Sequence, residues 1–179
     1  MARASALSEH ETKRRRILVA AARECFLTFG FAKTSLDDIA KKASVSRPLI
    51  YRSFKNKEDL LAAVFVDTFE QSYPEAEVIV AGRGTKREKL RRLGEVLLVE
   101  PWEQMARGAM LAEFYAACDR LLPEAQARFK KSCLKYVRAV VREREVAEVF
   151  LLAVEGLTSD LPKTSVLRRR LELLVDRFV

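Results

Sequence analysis

Apolar residues recur at helical spacing along nearly the whole chain, and no stretch shows the strict alternation of a half-buried strand. Leu18, Ala21, Ala22, Cys25, Phe26 and Phe29 fall at i, i+3, i+4, i+7, i+8 and i+11. That is one face of a helix opened by a Ser8–Glu11 capping box and closed by Gly30. Two short helices follow. Ser35, with Asp38 three positions on, caps the first, which runs to about Ala43. Ser44-Val45-Ser46 makes a turn. Ser46 is placed to cap the second, Arg47–Phe54, and Pro48 is tolerated in its first turn because no N–H partner is needed there. Asn56 caps a long helix that continues to about Tyr73, where Pro74 ends it.

The spacing predicts irregular chain between Tyr73 and Thr85. Thr85 with Glu88 then opens a helix carrying Leu90, Leu93, Leu97 and Leu98 on one face, ending near Pro101. Trp102–Arg107 is a short helical piece, and Gly108 either breaks it or marks a close crossing. Ala109–Leu121 is apolar on most sides, as for a buried helix. Pro123 starts a helix to about Arg142 with Phe129, Cys133, Tyr136, Val137 and Val140 inward. Two amphipathic helices close the chain. Their stripes are Val146, Val149, Phe150 and Ala153, then Leu167, Leu171, Leu174 and Phe178. The fold class expected is therefore all-α, with a helix-turn-helix domain over 1–57 and a larger helical domain over 58–179.

Charge changes this picture. Residues 1–57 hold 13 Lys or Arg against 5 Asp or Glu, which accounts for the whole formal net charge of +8 among 179 residues. The remainder is neutral. A basic excess confined to a helix-turn-helix segment suits phosphate backbones, which bind cations by releasing counterions. Within the second short helix, Ile50 and Phe54 share one side as core, while Arg47, Leu49, Arg52 and Ser53 lie on or near the others.

The run Gly30-Phe31, Thr34-Ser35, Asp38-Ile39-Ala40, Val45-Ser46, Leu49-Ile50-Tyr51, Phe54 and Lys57-Glu58-Asp59-Leu60-Leu61 resembles the DNA-binding domain of TetR-family transcriptional regulators. The resemblance covers roughly residues 13–64. Ser44 and Pro48 depart from it, since many members carry Gly at both positions. Pro48 also occurs in the family and alters which bases are preferred. The resemblance implies a ligand-responsive repressor that binds a pseudo-palindromic operator as a homodimer. It also implies that the two last helices form a four-helix bundle with the partner's pair, through Val146, Val149, Phe150, Ala153, Leu167, Leu171, Leu174 and Phe178. A two-fold operator reader needs two copies of its motif.

Resemblance and local chemistry agree on the candidate DNA contacts. Arg47 and Arg52 offer bidentate donors to guanine edges or phosphates. Pro48 and Leu49 offer apolar contact to a thymine methyl. Tyr51 resembles the family tyrosine that contacts the backbone. Lys55 and Lys57 are expected on phosphates, and Thr34 and Ser35 either donate to phosphate or act as caps. A candidate pocket for a small apolar or aromatic ligand comprises Phe65, Phe69, Tyr73, Trp102, Met105, Met110, Phe114, Tyr115, Cys118, Phe129 and Tyr136.

Other classes fit less well. The one histidine, His10, lies near the N-terminus, and there is no metal spacing, Gly-rich phosphate loop or Cys-His arrangement, so neither an enzyme nor a cofactor is expected. Cys25, Cys118 and Cys133 sit on apolar faces at wide spacing, which disfavours a thiol-redox regulator and a disulfide framework. A constitutive regulator without an inducer is the other alternative. No apolar run is long enough to span a membrane, and the N-terminus lacks the apolar stretch of a secretory signal, so a cytoplasmic location is expected.

Overall fold

The computed structural model describes residues 2–178, with side chains from residue 10 onward. Among the described residues all regular structure is helical. The helices are α1 (Ala2–Phe29), α2 (Leu36–Lys42), α3 (Arg47–Ser53), α4 (Lys57–Phe69), α5 (Tyr73–Ala81) and α6 (Lys86–Gly94). After them come α7 (Glu100–Met105), α8 (Leu111–Leu121), α9 (Pro123–Val141), α10 (Arg144–Gly156) and α11 (Thr164–Phe178). The Ser8 side chain of the expected first cap lies outside the described residues. No described helix is long and apolar enough to cross a membrane.

Packing divides the chain into two compact units, residues 1–67 with 108–123, and residues 68–107 with 124–179. This differs from the division at 57/58 drawn from the sequence, because α8 packs with the N-terminal helices. In the first unit Leu18, Ala22, Phe26, Ile39, Ile50, Phe54, Leu60 and Leu61 form the core. Phe29, placed on the inward stripe by periodicity, is exposed, whereas Val19 and Leu27 are buried. α8 is the cause. Gly108 sits so close to α1 that a Cβ there would lie 2.7 Å from Leu27 Cβ, and Met110 N donates to Leu27 O at 2.9 Å. A second helix against α1 moves the buried face toward Leu27.

The second unit departs from the sequence pattern at two prolines. α4 ends at Phe69, and Pro74 lies in the first turn of α5, so the proline that would end one helix begins the next. At the other, the helix opened by the Thr85–Glu88 capping box does not stop at Pro101. It passes through a π turn at Glu95–Val99 into α7. The wider turn accommodates a proline that has no N–H to donate. Glu95, within that π turn, pairs with Arg168 of α11 at 2.7 Å. Trp102 is anchored by its indole N–H, which donates to Pro162 O at 3.1 Å.

One residue of the first unit other than glycine holds a conformation suited to glycine. Ser44, between α2 and α3, has φ 54°. Left-handed backbone costs an L-residue about 1–2 kcal/mol, partly offset by the greater chain entropy that glycine loses on folding. Ser44→Gly is therefore expected to stabilise the protein by about 0.5–1 kcal/mol, measured as a higher urea midpoint with unchanged slope.

Candidate nucleic-acid interface

The surface that α2 and α3 present depends on the short connection between α1 and α2. Gly30 ends α1 with φ 88°, and a Cβ there would lie 2.7 Å from Glu113 Cδ on α8. The backbone conformation suits glycine, and a Cβ would displace the Glu113 carboxylate. Glu113 uses that closeness, accepting from Ala32 N at 2.9 Å. Thr34 is 3% exposed and its hydroxyl donates to Gly30 O at 2.7 Å. From the first residue of α4, the Lys57 ammonium donates to Phe31 O at 2.7 Å, Thr34 O at 2.9 Å and Ala32 O at 3.4 Å. It also lies 4.4 Å from the centroid of the Phe31 ring, close enough for cation–π attraction. One cation thus gathers three carbonyls that no helix satisfies.

α2 begins where that loop ends. Ser35 accepts from Asp38 N at 3.1 Å, and Asp38 accepts from Ser35 N at 3.0 Å and from its hydroxyl at 2.5 Å. These bonds hold the Asp38 carboxyl below its usual range, the hydroxyl contributing most. α3 is seated by Ile50 and Phe54, 0% and 1% exposed. Arg15 of α1 closes its C-terminal end: Nη1 donates to Ser53 O at 3.1 Å, and the guanidinium lies 4.2 Å from the Phe54 centroid. Ser46 precedes α3 in extended backbone, but its hydroxyl makes no cap bond. Lys55 N donates to Asp59 Oδ2 at 3.1 Å, and Asn56 Oδ1 accepts from Asp59 N at 2.7 Å, which starts α4.

What remains outward is a compact set. Arg47, Pro48, Tyr51, Arg52 and Lys55 are exposed and Leu49 is half-buried. The geometry brings these six expected contacts together on and just after one short helix. It treats the other three differently. Ser35 is exposed, but its hydroxyl and amide are both engaged by Asp38. Thr34 is packed inward, and the ammonium of Lys57 turns to the loop carbonyls. For Thr34 and Lys57 the reason is the backbone at 30–34, whose carbonyls they satisfy, and for Ser35 it is the capping box that starts α2. Sequence reasoning missed Arg15, Glu113 and Asp37, which support this surface through contacts with residues distant in sequence. Asp37 pairs with Arg47 at 2.7 Å across the turn.

The other candidate residues scatter. Phe65, Met110, Phe114, Tyr115 and Cys118 belong to the first unit, and the rest of the proposed ligand set to the second. In the second, Phe69 and Tyr73 each pack on Phe129, with centroids 5.3 and 6.4 Å apart, and Tyr73 packs on Tyr136 at 5.8 Å. Of the expected dimer stripe, Phe150, Leu167 and Leu171 are buried in the core of the second unit. Leu171 is pressed on Gly94, where a Cβ would come within 2.7 Å of its Cδ1. Val149 stays 56% exposed, and Leu152 of the same helix and Val166 and Leu173 of α11, not singled out by the periodicity, are exposed as well. Val146, Ala153, Leu174 and Phe178 are half-buried. Burial pushes the Cys118 and Cys133 thiols up to about 12 and raises that of Cys25, so reactive thiolates are scarce at neutral pH.

The sequence model described as bacterial regulatory proteins, tetR family, matches residues 18–64. The uncharacterized HTH-type transcriptional regulator YhgD of Bacillus subtilis is 34% identical over 64 residues, covering 36% of this chain and 34% of that one. The matched stretch thus spans about a third of the length of the curated relatives. Among solved structures, SmeT, the repressor of the Stenotrophomonas maltophilia multidrug efflux pump SmeDEF, superimposes with a TM-score of 0.70 at 22% identity, over 92% of this chain and 87% of that one. FadR from Bacillus subtilis, in complex with stearoyl-CoA, does so with a TM-score of 0.59 at 21% identity, over 89% of this chain and 97% of that one. At such identities these structures establish the fold.

Removing the Lys57 ammonium leaves the part-buried carbonyls of Phe31 and Thr34 without this donor. Lys57→Ala is expected to destabilise the chain by about 2 kcal/mol, the cost of lost charge-assisted hydrogen bonds. Urea denaturation monitored by circular dichroism checks this.

Proposed function

We propose, for a chain that belongs to the TetR family of bacterial regulatory proteins, that it is a ligand-responsive repressor binding a pseudo-palindromic operator as a homodimer. The observation that carries this reading is the outward set Arg47, Pro48, Leu49, Tyr51, Arg52 and Lys55 on a short helix. This set lies within the segment that holds the whole net positive charge. A helix presenting two guanidinium groups, an amphipathic phenol and apolar atoms near its start suits a major groove, where guanine offers paired acceptors and thymine a methyl group. Arg47 and Arg52 are the readers, Pro48 and Leu49 the apolar contacts, and Tyr51 and Lys55 the phosphate contacts. Thr34, Ser35 and Lys57 act indirectly, by fixing the loop that aims α2 and α3.

The dimer uses the outer face of α10 and α11. Val149, Leu152, Val166 and Leu173 form the exposed apolar set, and Gly156 leaves open space at the end of α10. Exposed apolar side chains on one helix pair suit an interaction surface. Val146, Ala153, Leu174 and Phe178 border the contact, while Phe150, Leu167 and Leu171 support it from within. The inducer is apolar or aromatic, and the cluster Phe69, Tyr73, Phe129 and Tyr136 is the part of the expected pocket that would meet it. SmeT is by name a repressor of an efflux pump, and FadR was solved with an acyl-CoA. Those names suit an apolar effector here. The thiol-redox alternative has little support from three buried cysteines.

DNA selected from a random pool, followed by salt titration of variants on the winner, tests the reading. Arg52→Ala is expected to cost about 1–3 kcal/mol and to relax preference at one position in each half-site. Lys55→Ala should weaken all sequences alike and reduce the salt slope by about one. An unchanged slope would remove Lys55 from the phosphate contacts. For the dimer, Leu152→Glu is expected to shift the sedimentation coefficient to that of a monomer at micromolar concentration. A dimer persisting at that concentration would move the interface elsewhere.

A further inference from the structure

Asp37 has no place in the contacts proposed so far, yet it faces the helix that would read DNA. It lies in the first turn of α2, and its Oδ1 is 2.7 Å from Nε of Arg47, the first residue of α3. The carboxyl is one-third exposed and Arg47 two-thirds exposed. Oδ1 itself is sealed from solvent, and no hydrogen-bond donor is aligned with it. Charge alone therefore holds the pair, across the turn that separates the two helices. The chemistry of the guanidinium gives this contact a direction. Its fork has five N–H donors. With Nε against the carboxylate, Nη1 and Nη2 form the remaining edge, and they carry no other ion pair or hydrogen bond among the described residues. That edge matches the O6 and N7 acceptors of one guanine.

We infer that Asp37 is a positioning residue that holds Nε of Arg47 so that its terminal N–H pair meets a guanine, and that its charge discourages Arg47 from settling on a phosphate. The inference rests on the DNA-reading role assigned above. An exposed arginine without this partner is free to turn to any nearby phosphate and neutralise it. Non-specific affinity then rises while discrimination falls. The carboxylate thus converts a general cation into a base reader.

The test compares the selected operator with a random duplex of equal length, by fluorescence anisotropy over a range of salt. The proteins are the wild type, Asp37→Asn, Asp37→Ser, Arg47→Ala, Arg47→Lys and the double variant Asp37→Asn/Arg47→Ala. Asp37→Asn and Asp37→Ser are expected to lower the operator-over-random ratio about tenfold. They should also steepen the salt slope on the random duplex by up to about one, because Arg47 gains a phosphate. Arg47→Lys keeps the charge and lacks the fork, so it loses the same guanine preference and keeps the wild-type slope on the operator. In the Arg47→Ala background, Asp37→Asn should have no further effect on the ratio. An Asp37→Asn ratio equal to wild type, or a loss that persists in the Arg47→Ala background, would overturn the inference while leaving the regulator reading intact. A wild-type chain that enriches no sequence would overturn both. Arg47→Lys alters an exposed side chain, so it tests the fork even if an Asp37 variant fails to fold.

Discussion

One ammonium group carries much of the geometry. Lys57 opens α4, and from there its Nζ collects the carbonyls of Phe31, Ala32 and Thr34 and covers the Phe31 ring. Those carbonyls belong to chain that has left α1 and not yet entered α2, so no helical ladder can satisfy them. Without the cation, the part-buried oxygens of Phe31 and Thr34 would have to turn toward water. The start of α2 would shift with it. With the cation in place, the loop has one shape, and Glu113 and Thr34 add to it from either side.

This constraint matters because α2 and α3 are only 7 residues each. Helices of that length are not stable alone in water, so their existence and direction come from packing. Ile39, Ile50 and Phe54 supply the packing, and Arg15 fixes the end of α3 from below. The exposed side of α3 is then a rigid display of long donors. A surface that reads bases must be held to small tolerances, and here each support is a residue outside the contact set. The same separation of roles appears in the second unit. There Phe150, Leu167 and Leu171 hold the helices while Val149 and Leu152 face outward.

How much of this could be read from the sequence follows from the range of each interaction. The capping boxes at Ser35–Asp38 and Thr85–Glu88 are local, and both form as the spacing implied. The five outward residues of α3 and Lys55 beyond it were also legible, because a short amphipathic helix has one core side. Lys57 was not. Its partners lie 23–26 positions away, and nothing in its neighbourhood distinguishes an inward lysine from an outward one. Periodicity likewise gives an apolar stripe but not which of two adjacent stripes faces the core, so Leu152, Val166 and Leu173 went unnoticed. Pro74 and Pro101 misled because proline suits the first turn of a helix as well as its end, and a π turn can carry the chain past it.

The central claim is that two copies of this chain place α3 in successive major grooves. Methylation interference on the selected DNA tests it most directly, because guanine N7 lies in the major groove. The account predicts two patches of interference related by two-fold symmetry and separated by about one helical turn or a multiple of it. A single patch, or binding indifferent to N7 methylation, would contradict it.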